Sequence, residues 1–253
     1  MKKQGFSLAE VLMAIAILGT VALVTLPGLN ANVQESQWST SLKTTVLSLS
    51  DKIDAQMAIE DVHDVADLKA CNAVTKEEFL KNLGRFLNFA PASESHNIYS
   101  FADGAKVKTF ATKDMRLTHT GAILMLDDYA EVTNGCNPKM ARAAGAAIYK
   151  YNAAFFVDVN GYKKPNRLGY DVFKYVLGND GRLYPVGGKD VAVITGSDWS
   201  AGGECGCSRE NEGYGCAGRV EEQGWKMSHL KEKAIPKTDS GSEGEENGGS
   251  DPV

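Results

Sequence analysis

The 253-residue sequence predicts an α+β fold, in which one long N-terminal helix packs on a head of mostly antiparallel strands. Three observations carry that class. An apolar run from Phe6 to Leu26 is long enough to cross a bilayer. An amphipathic helical pattern continues beyond it with no strong breaker except Pro27-Gly28. From Asn97 onward the period changes from helical to alternating, in short runs separated by turn dipeptides.

The N-terminal segment starts with Lys2 and Lys3, reaches Gly5, and then carries one ionisable residue, Glu10, before it stops at Pro27-Gly28. At roughly 1.5 Å per helical residue, Phe6–Leu26 spans about 31 Å, close to the ~30 Å hydrocarbon core of a bilayer. The two lysines place the leader on the cytoplasmic side and send the rest of the chain across. A secretory signal fits poorly, because the apolar run exceeds a secretory core and no small-residue cleavage site follows it. A carboxylate in such a run costs on the order of 2–4 kcal/mol, which makes Glu10 a functional residue in need of a partner. The bland alternative is that Glu10 reaches the headgroups. Pro27 removes a backbone donor and Gly28 adds freedom, so a kink is expected where the helix leaves the membrane. Ala9, Ala14, Ala16, Gly19 and Ala22 offer small surfaces for helix association.

Gly5-Phe6-Ser7-Leu8-Ala9-Glu10 followed by an apolar helix resembles the prepilin motif of type IV pilins and type II secretion pseudopilins. The resemblance implies cleavage after Gly5 by a prepilin peptidase and N-methylation of the new terminus, Phe6. It implies pairing of Glu10 with the Phe6 amine of a neighbouring subunit. It also implies a pilin-like architecture, in which a membrane-spanning helix carries an antiparallel head. The partners implied are identical or related pilin subunits, the peptidase, an inner-membrane assembly platform, and membrane lipid before assembly. The precursor then sits in the bacterial inner membrane with its head in the periplasm, before joining a pilus or pseudopilus. Ser7 and Ala9 stand where many relatives carry Thr and a larger aliphatic residue.

The expected organisation is a leader over 1–5, an assembly helix over 6–28, a head over 29–235 and an acidic tail over 236–253. Within the head, Trp38, Leu42, Val46, Leu49, Ile53 and Met57 form one helical stripe, while Leu47 and Ile59 fall off it. Thr75 and Glu78 have capping-box form and open a short helix to about Asn88. Strands are expected over Asn97–Phe101, Lys106–Phe110, Gly121–Leu126, Ala146–Val159, Asp171–Leu177 and Arg182–Val186, with a helical turn over Lys139–Ala144 and a short helix after Cys216. The tail is rich in Ser, Gly and Glu, lacks apolar residues until Val253 and cannot bury a core.

Val157 to Phe173 resembles a VDVNG-x-x-x-PN-x-x-G-x-D-x-F pattern found in many pilin-like proteins with prepilin leaders. Asp158 and Asn160 offer oxygen ligands two residues apart, and Asn166 and Asp171 return more from the far side of the loop. Calcium takes six to eight such oxygens. The 12-residue EF-hand template is not met, because a third ligand after Asn160 and a terminal Glu are missing. The alternative is an Asx-rich turn in which these side chains bond their own backbone.

Five cysteines, Cys71, Cys136, Cys205, Cys207 and Cys216, read as disulfide material in an exported head. Cys216 can close a short loop with Cys205 or Cys207, leaving Cys71 and Cys136 as a long bridge and one thiol over. A zinc set of Cys205, Cys207, Cys216 and His229 is the alternative, although the usual C-x-x-C pairs are absent. The net charge is −5, of which Lys237–Val253 supplies −4 from five acids and one lysine, so no basic nucleic-acid surface is indicated. No G-x-S-x-G, H-E-x-x-H or P-loop appears, the four histidines lack metal spacing and read as surface or turn residues, and Asp127-Asp128 and Glu221-Glu222 read as solvated acids. Two functions remain: a non-enzymatic filament subunit, or a single-span anchored periplasmic binding protein, calcium-stabilised and not assembled.

Overall fold

A computed structural model describes residues 7–69, 76–129, 151–191, 198–200 and 206–231. Helix α1 runs from Leu8 to Glu60, 53 residues, or about 80 Å at 1.5 Å per residue. It continues through Pro27 and Gly28, so the expected weak point interrupts no helix. It ends at Asp61, whose left-handed backbone (φ 54°) returns its N–H to Met57 O. Among the described residues no helix is long and apolar enough to cross a membrane; the described side chains of the apolar run end at Leu23.

The outer half of α1 buries the predicted stripe: Leu42, Val46, Leu49, Ile53 and Met57 are at most 8 % exposed. Leu47 and Ile59, off the stripe, face solvent. A 3-10 turn at Val65–Asp67 leads toward helix α2, Lys76–Phe86, which packs Phe79, Leu80 and Leu83 into the same core. Thr75, its expected cap, lies outside the described residues, as do Lys139–Ala144 and the tail.

Among the described residues eight strands follow: β1 (Ala90–Pro91), β2 (His96–Tyr99), β3 (Lys106–Phe110), β4 (Met115–Leu117), β5 (Ile123–Tyr129), β6 (Tyr151–Asp158), β7 (Val172–Gly178) and β8 (Leu183–Pro185). Six form one antiparallel sheet in the order β1-β4-β5-β6-β7-β8, and β2 and β3 pair separately as a hairpin. The expected strands thus locate the hairpin, with β3 at its expected bounds, and the central strands, with other boundaries shifted by one to a few residues. β1 and β4 were not anticipated, because two or three residues flanked by turns are too short to show a period.

Both faces of the central sheet are covered. Leu124, Leu126, Phe155, Val157, Phe173, Tyr175 and Leu177 meet α1 and α2. Ile123, Met125, Phe156, Val172 and Val176 meet Ile98 and Phe110 of the hairpin, together with Tyr214. The period of two sorts neighbouring residues into these layers, and only Lys174 interrupts the apolar series in β7.

Lys174 is fully buried and its Nζ lies 2.6 Å from Asp127 Oδ2, with Lys108 Nζ on the other carboxylate oxygen. The pairing register with β6 shifts across Asp127, between Leu126 and Asp128, as in a bulge that re-aims a side chain. Asp127 is therefore a buried ion-pair residue, correcting its reading as a solvated acid. Two histidines are corrected in the same way. His96 and His229 are 2 % and 0 % exposed, whereas His63 and His119 are exposed.

Helix α3, Cys216–Glu222, closes the head, and Gly224 ends it with φ +70°. The segment after α3 is tied to the stem. Ser39 Oγ donates to Trp225 O, Lys43 Nζ lies 5.9 Å from the Trp225 ring centroid, and Lys231 Nζ is 3.1 Å from Glu35 Oε2. Trp225 is half-buried against the core.

Candidate functional site: the N-terminal helix and the β6–β7 loop

The first turn of α1 is a capping box. Ser7 Oγ accepts from Glu10 N–H at 3.3 Å, while the Glu10 carboxylate accepts from Ser7 N–H at 2.8 Å and from Ser7 Oγ at 2.9 Å. In the isolated chain Glu10 is thus satisfied by its own helix terminus. Around it the apolar side chains find no protein cover: Leu8, Leu12, Met13, Ile15, Leu18 and Leu23 are 59–77 % exposed. An apolar surface of that extent belongs to a lipid or protein contact rather than to water. Gly5 and Phe6 lie outside the described residues, as do Cys71, Cys136 and Cys205.

The connection from β6 to β7 brings Asp158, Asn160, Asn166 and Asp171 together, as their spacing predicts. Asp158 Oδ1 accepts from Asn160 N–H at 3.1 Å, the Asx-turn bond. Asp171 Oδ2 accepts from Asn160 Nδ2 at 3.0 Å and from Asn166 N–H at 2.8 Å, and Oδ1 accepts from Arg167 N–H at 2.7 Å. Gly161 (φ +70°) permits the turn; a Cβ there would meet Gly121 O at 2.7 Å. Asn166 is also left-handed, at φ 54°. The loop is therefore an Asx-rich turn in its hydrogen bonding.

It also carries an excess of oxygen. Asp158 and Asp171 are both 0 % exposed, and Asn160 Oδ1 and Asn166 Oδ1 are buried without a hydrogen-bond partner among the described residues. Arg167 directs its guanidinium to the carbonyls of Ser100 (3.1 Å) and Phe101 (3.0 Å) rather than into the cluster. Burial and the neighbouring Asp158 carboxylate push Asp171 up to about 7. Burial raises Asp158 well above the usual carboxylate range, against backbone N–H bonds that oppose it. Orphaned carboxamide oxygens beside two crowded carboxyls fit a hard cation with oxygen ligands.

Sequence reasoning missed His96, whose Nε2 lies 2.8 Å from Asp158 Oδ2 and whose ring packs edge-on to Tyr162 at 5.7 Å. Burial lowers its pKa, with Asp171 and Glu94 opposing. No local signal marks a partner 62 residues away. Its alternation with Ile98 in β2, both buried, is the one available hint.

Of the cysteines, Cys207 and Cys216 form a disulfide across nine residues, one of the two short closures the spacing allows. It uses two thiols of the alternative zinc set.

No curated protein and no solved structure matches the chain. Residues 1–26 match the family model of the prokaryotic N-terminal methylation motif. With its capped helix, exposed apolar face and single acid, the N-terminal segment is a prepilin-type signal of the type IV pilin and pseudopilin class.

Proposed function

We propose that the chain is a structural subunit, a pilin or pseudopilin, of a type IV pilus or type II secretion filament. The precursor is held in the bacterial inner membrane by residues 6–28 with its head in the periplasm. It is cleaved after Gly5 and methylated at Phe6, and it assembles through its N-terminal helix. The observation that carries this reading is the uncovered apolar face of α1 on a helix that continues into the head core. Lipid covers that face before assembly and neighbouring subunits cover it afterward. In that setting small and polar contacts set association, because apolar contact alone gains little over lipid. Glu10 then exchanges its cap on Ser7 for the Phe6 amine of the next subunit, offsetting two desolvation costs and fixing axial register.

The test is Glu10→Ala. Membrane insertion is expected to persist while filament incorporation is lost, read by fractionation and by filament immunoblot. Incorporation at the wild-type level would leave Glu10 without this role and favour the anchored binding protein.

A second reading concerns the β6–β7 loop. Asp158, Asn160, Asn166 and Asp171 bind calcium, which neutralises the paired carboxyls and occupies the two orphaned carboxamide oxygens. The ion is structural here, holding the hairpin end that packs on β2. A chelator-insensitive melting temperature removes it.

A further inference from the structure

A third cluster lies beside α3, and it touches the β6–β7 loop at Gly169. Cys207, Cys216 and His229 are 1 %, 0 % and 0 % exposed, and a ligating atom of each lies within 4.8 Å of the others. His229 Nε2 donates to Gly169 O at 2.5 Å. A carbonyl only accepts, so Nε2 carries a hydrogen and Nδ1 is the nitrogen left to ligate. Imidazoles that bind metal are held in this way, one nitrogen ligating and the other donating to a carbonyl. Gly169 leaves room for the group: a Cβ there would stand 2.7 Å from Cys216 Sγ and 3.1 Å from the Phe101 ring. Arg219 Nη1 donates to Cys207 O at 2.6 Å and fixes the backbone of that cysteine.

We propose that, once the disulfide is reduced, Cys207, Cys216 and His229 bind one zinc ion. Two thiolates, a neutral imidazole and Zn²⁺ sum to no net charge, which is what a buried site requires. Two cysteines and a histidine with an open fourth position are a recognised zinc ligand set. In the interchange a phosphine or dithiol supplies two electrons that break the Sγ–Sγ bond. Both sulfurs become thiols and lose their protons to solvent as they ligate, while the imidazole gives its lone pair without losing a proton. Either clip closes the same loop beneath α3, so the head keeps one arrangement there in oxidising and reducing surroundings.

The test uses the full-length chain in detergent with Cys71→Ser, Cys136→Ser and Cys205→Ser, so that only the two clustered cysteines remain. After reduction by a metal-free phosphine, Co²⁺ is titrated and then displaced by Zn²⁺. One equivalent of cobalt with sulfur-to-metal charge-transfer absorption is expected, bleached by zinc, and none in the unreduced protein. His229→Gln should weaken zinc by more than about 100-fold, beyond the 10–100-fold usual for losing an outer hydrogen-bond partner. If the triple variant does not fold, the reduced wild-type chain decides. Zinc should raise its melting temperature, and His229→Gln should remove that rise. No stoichiometric metal after reduction, equal uptake without reduction, or unchanged binding in His229→Gln overturns the proposal.

Discussion

Raising the pH from about 4 to 8 should destabilise the head, and calcium should offset much of the part that arises at Asp171. Asp171 holds its proton up to about pH 7 in the folded chain and releases it near 3.8 when unfolded. Between those values the folded state binds more protons, so stability falls as pH rises through the window and levels off above it. At about 1.4 kcal/mol per pH unit, roughly three units amount to about 4 kcal/mol for full titration, an order-of-magnitude ceiling. Glu221, which burial pushes up to about 7 against the Tyr175 hydroxyl, adds a slope of the same sign. Calcium acts only on the first of these. A cation on Asp158 and Asp171 favours their ionised forms and removes the Asp171 slope, while Glu221→Gln removes the other. Calcium at 100 times its dissociation constant adds about 2.7 kcal/mol, or about 5–10 °C for a head of this size. The assay is thermal unfolding of the full chain by circular dichroism at pH 4.5 and 7.5, with EDTA, CaCl₂ or an equivalent ionic strength of NaCl. Calcium should act at pH 7.5 and hardly at pH 4.5, and Asn160→Ala with Asn166→Ala should abolish the effect. A melting temperature at pH 7.5 indifferent to calcium would refute the cation.

Leu49→Ala should cost about 2–5 kcal/mol by opening a cavity where the stem meets the head, while Leu47→Ala, two residues away on the exposed face, should stay within about 0.5 kcal/mol; urea unfolding compares them. Cys216→Ser should cost about 2.6 kcal/mol, the chain-entropy value for a loop of nine residues, and should match the drop produced by reduction in the absence of metal. Lys174→Met should cost about 3–5 kcal/mol because it deprives the buried Asp127 of its buried cation, and adding Asp127→Leu should restore much of the loss.

How much was legible in the sequence follows from how local each signal is. The stem stripe is a period along one helix, the hairpin starts as an alternation, and β6 and β7 are apolar runs bounded by turn residues, so all could be read directly. The Asp158–Asp171 loop was legible because its four oxygen-bearing side chains sit within 14 residues of one chain. The Lys174–Asp127–Lys108 network was not, because its members come from three strands. Asp127 also occupies an irregular position in β5, where the pairing register shifts. His96 and His229 are buried by segments distant in sequence, against Asp158 and Gly169. A lone polar residue among turn formers gives no sign of such burial. Pro27 and Gly28 carried a true local penalty, yet α1 runs on through them. About 3 kcal/mol for a helical proline is small beside the cooperative gain of a long helix.

The most direct measurement is the N-terminus of the mature protein, by terminal sequencing and intact mass after membrane extraction. A filament subunit with a prepilin-type signal should have lost Met1–Gly5 and should begin at a singly methylated Phe6. A chain still starting at Met1, in cells whose prepilin peptidase is active, would contradict the account.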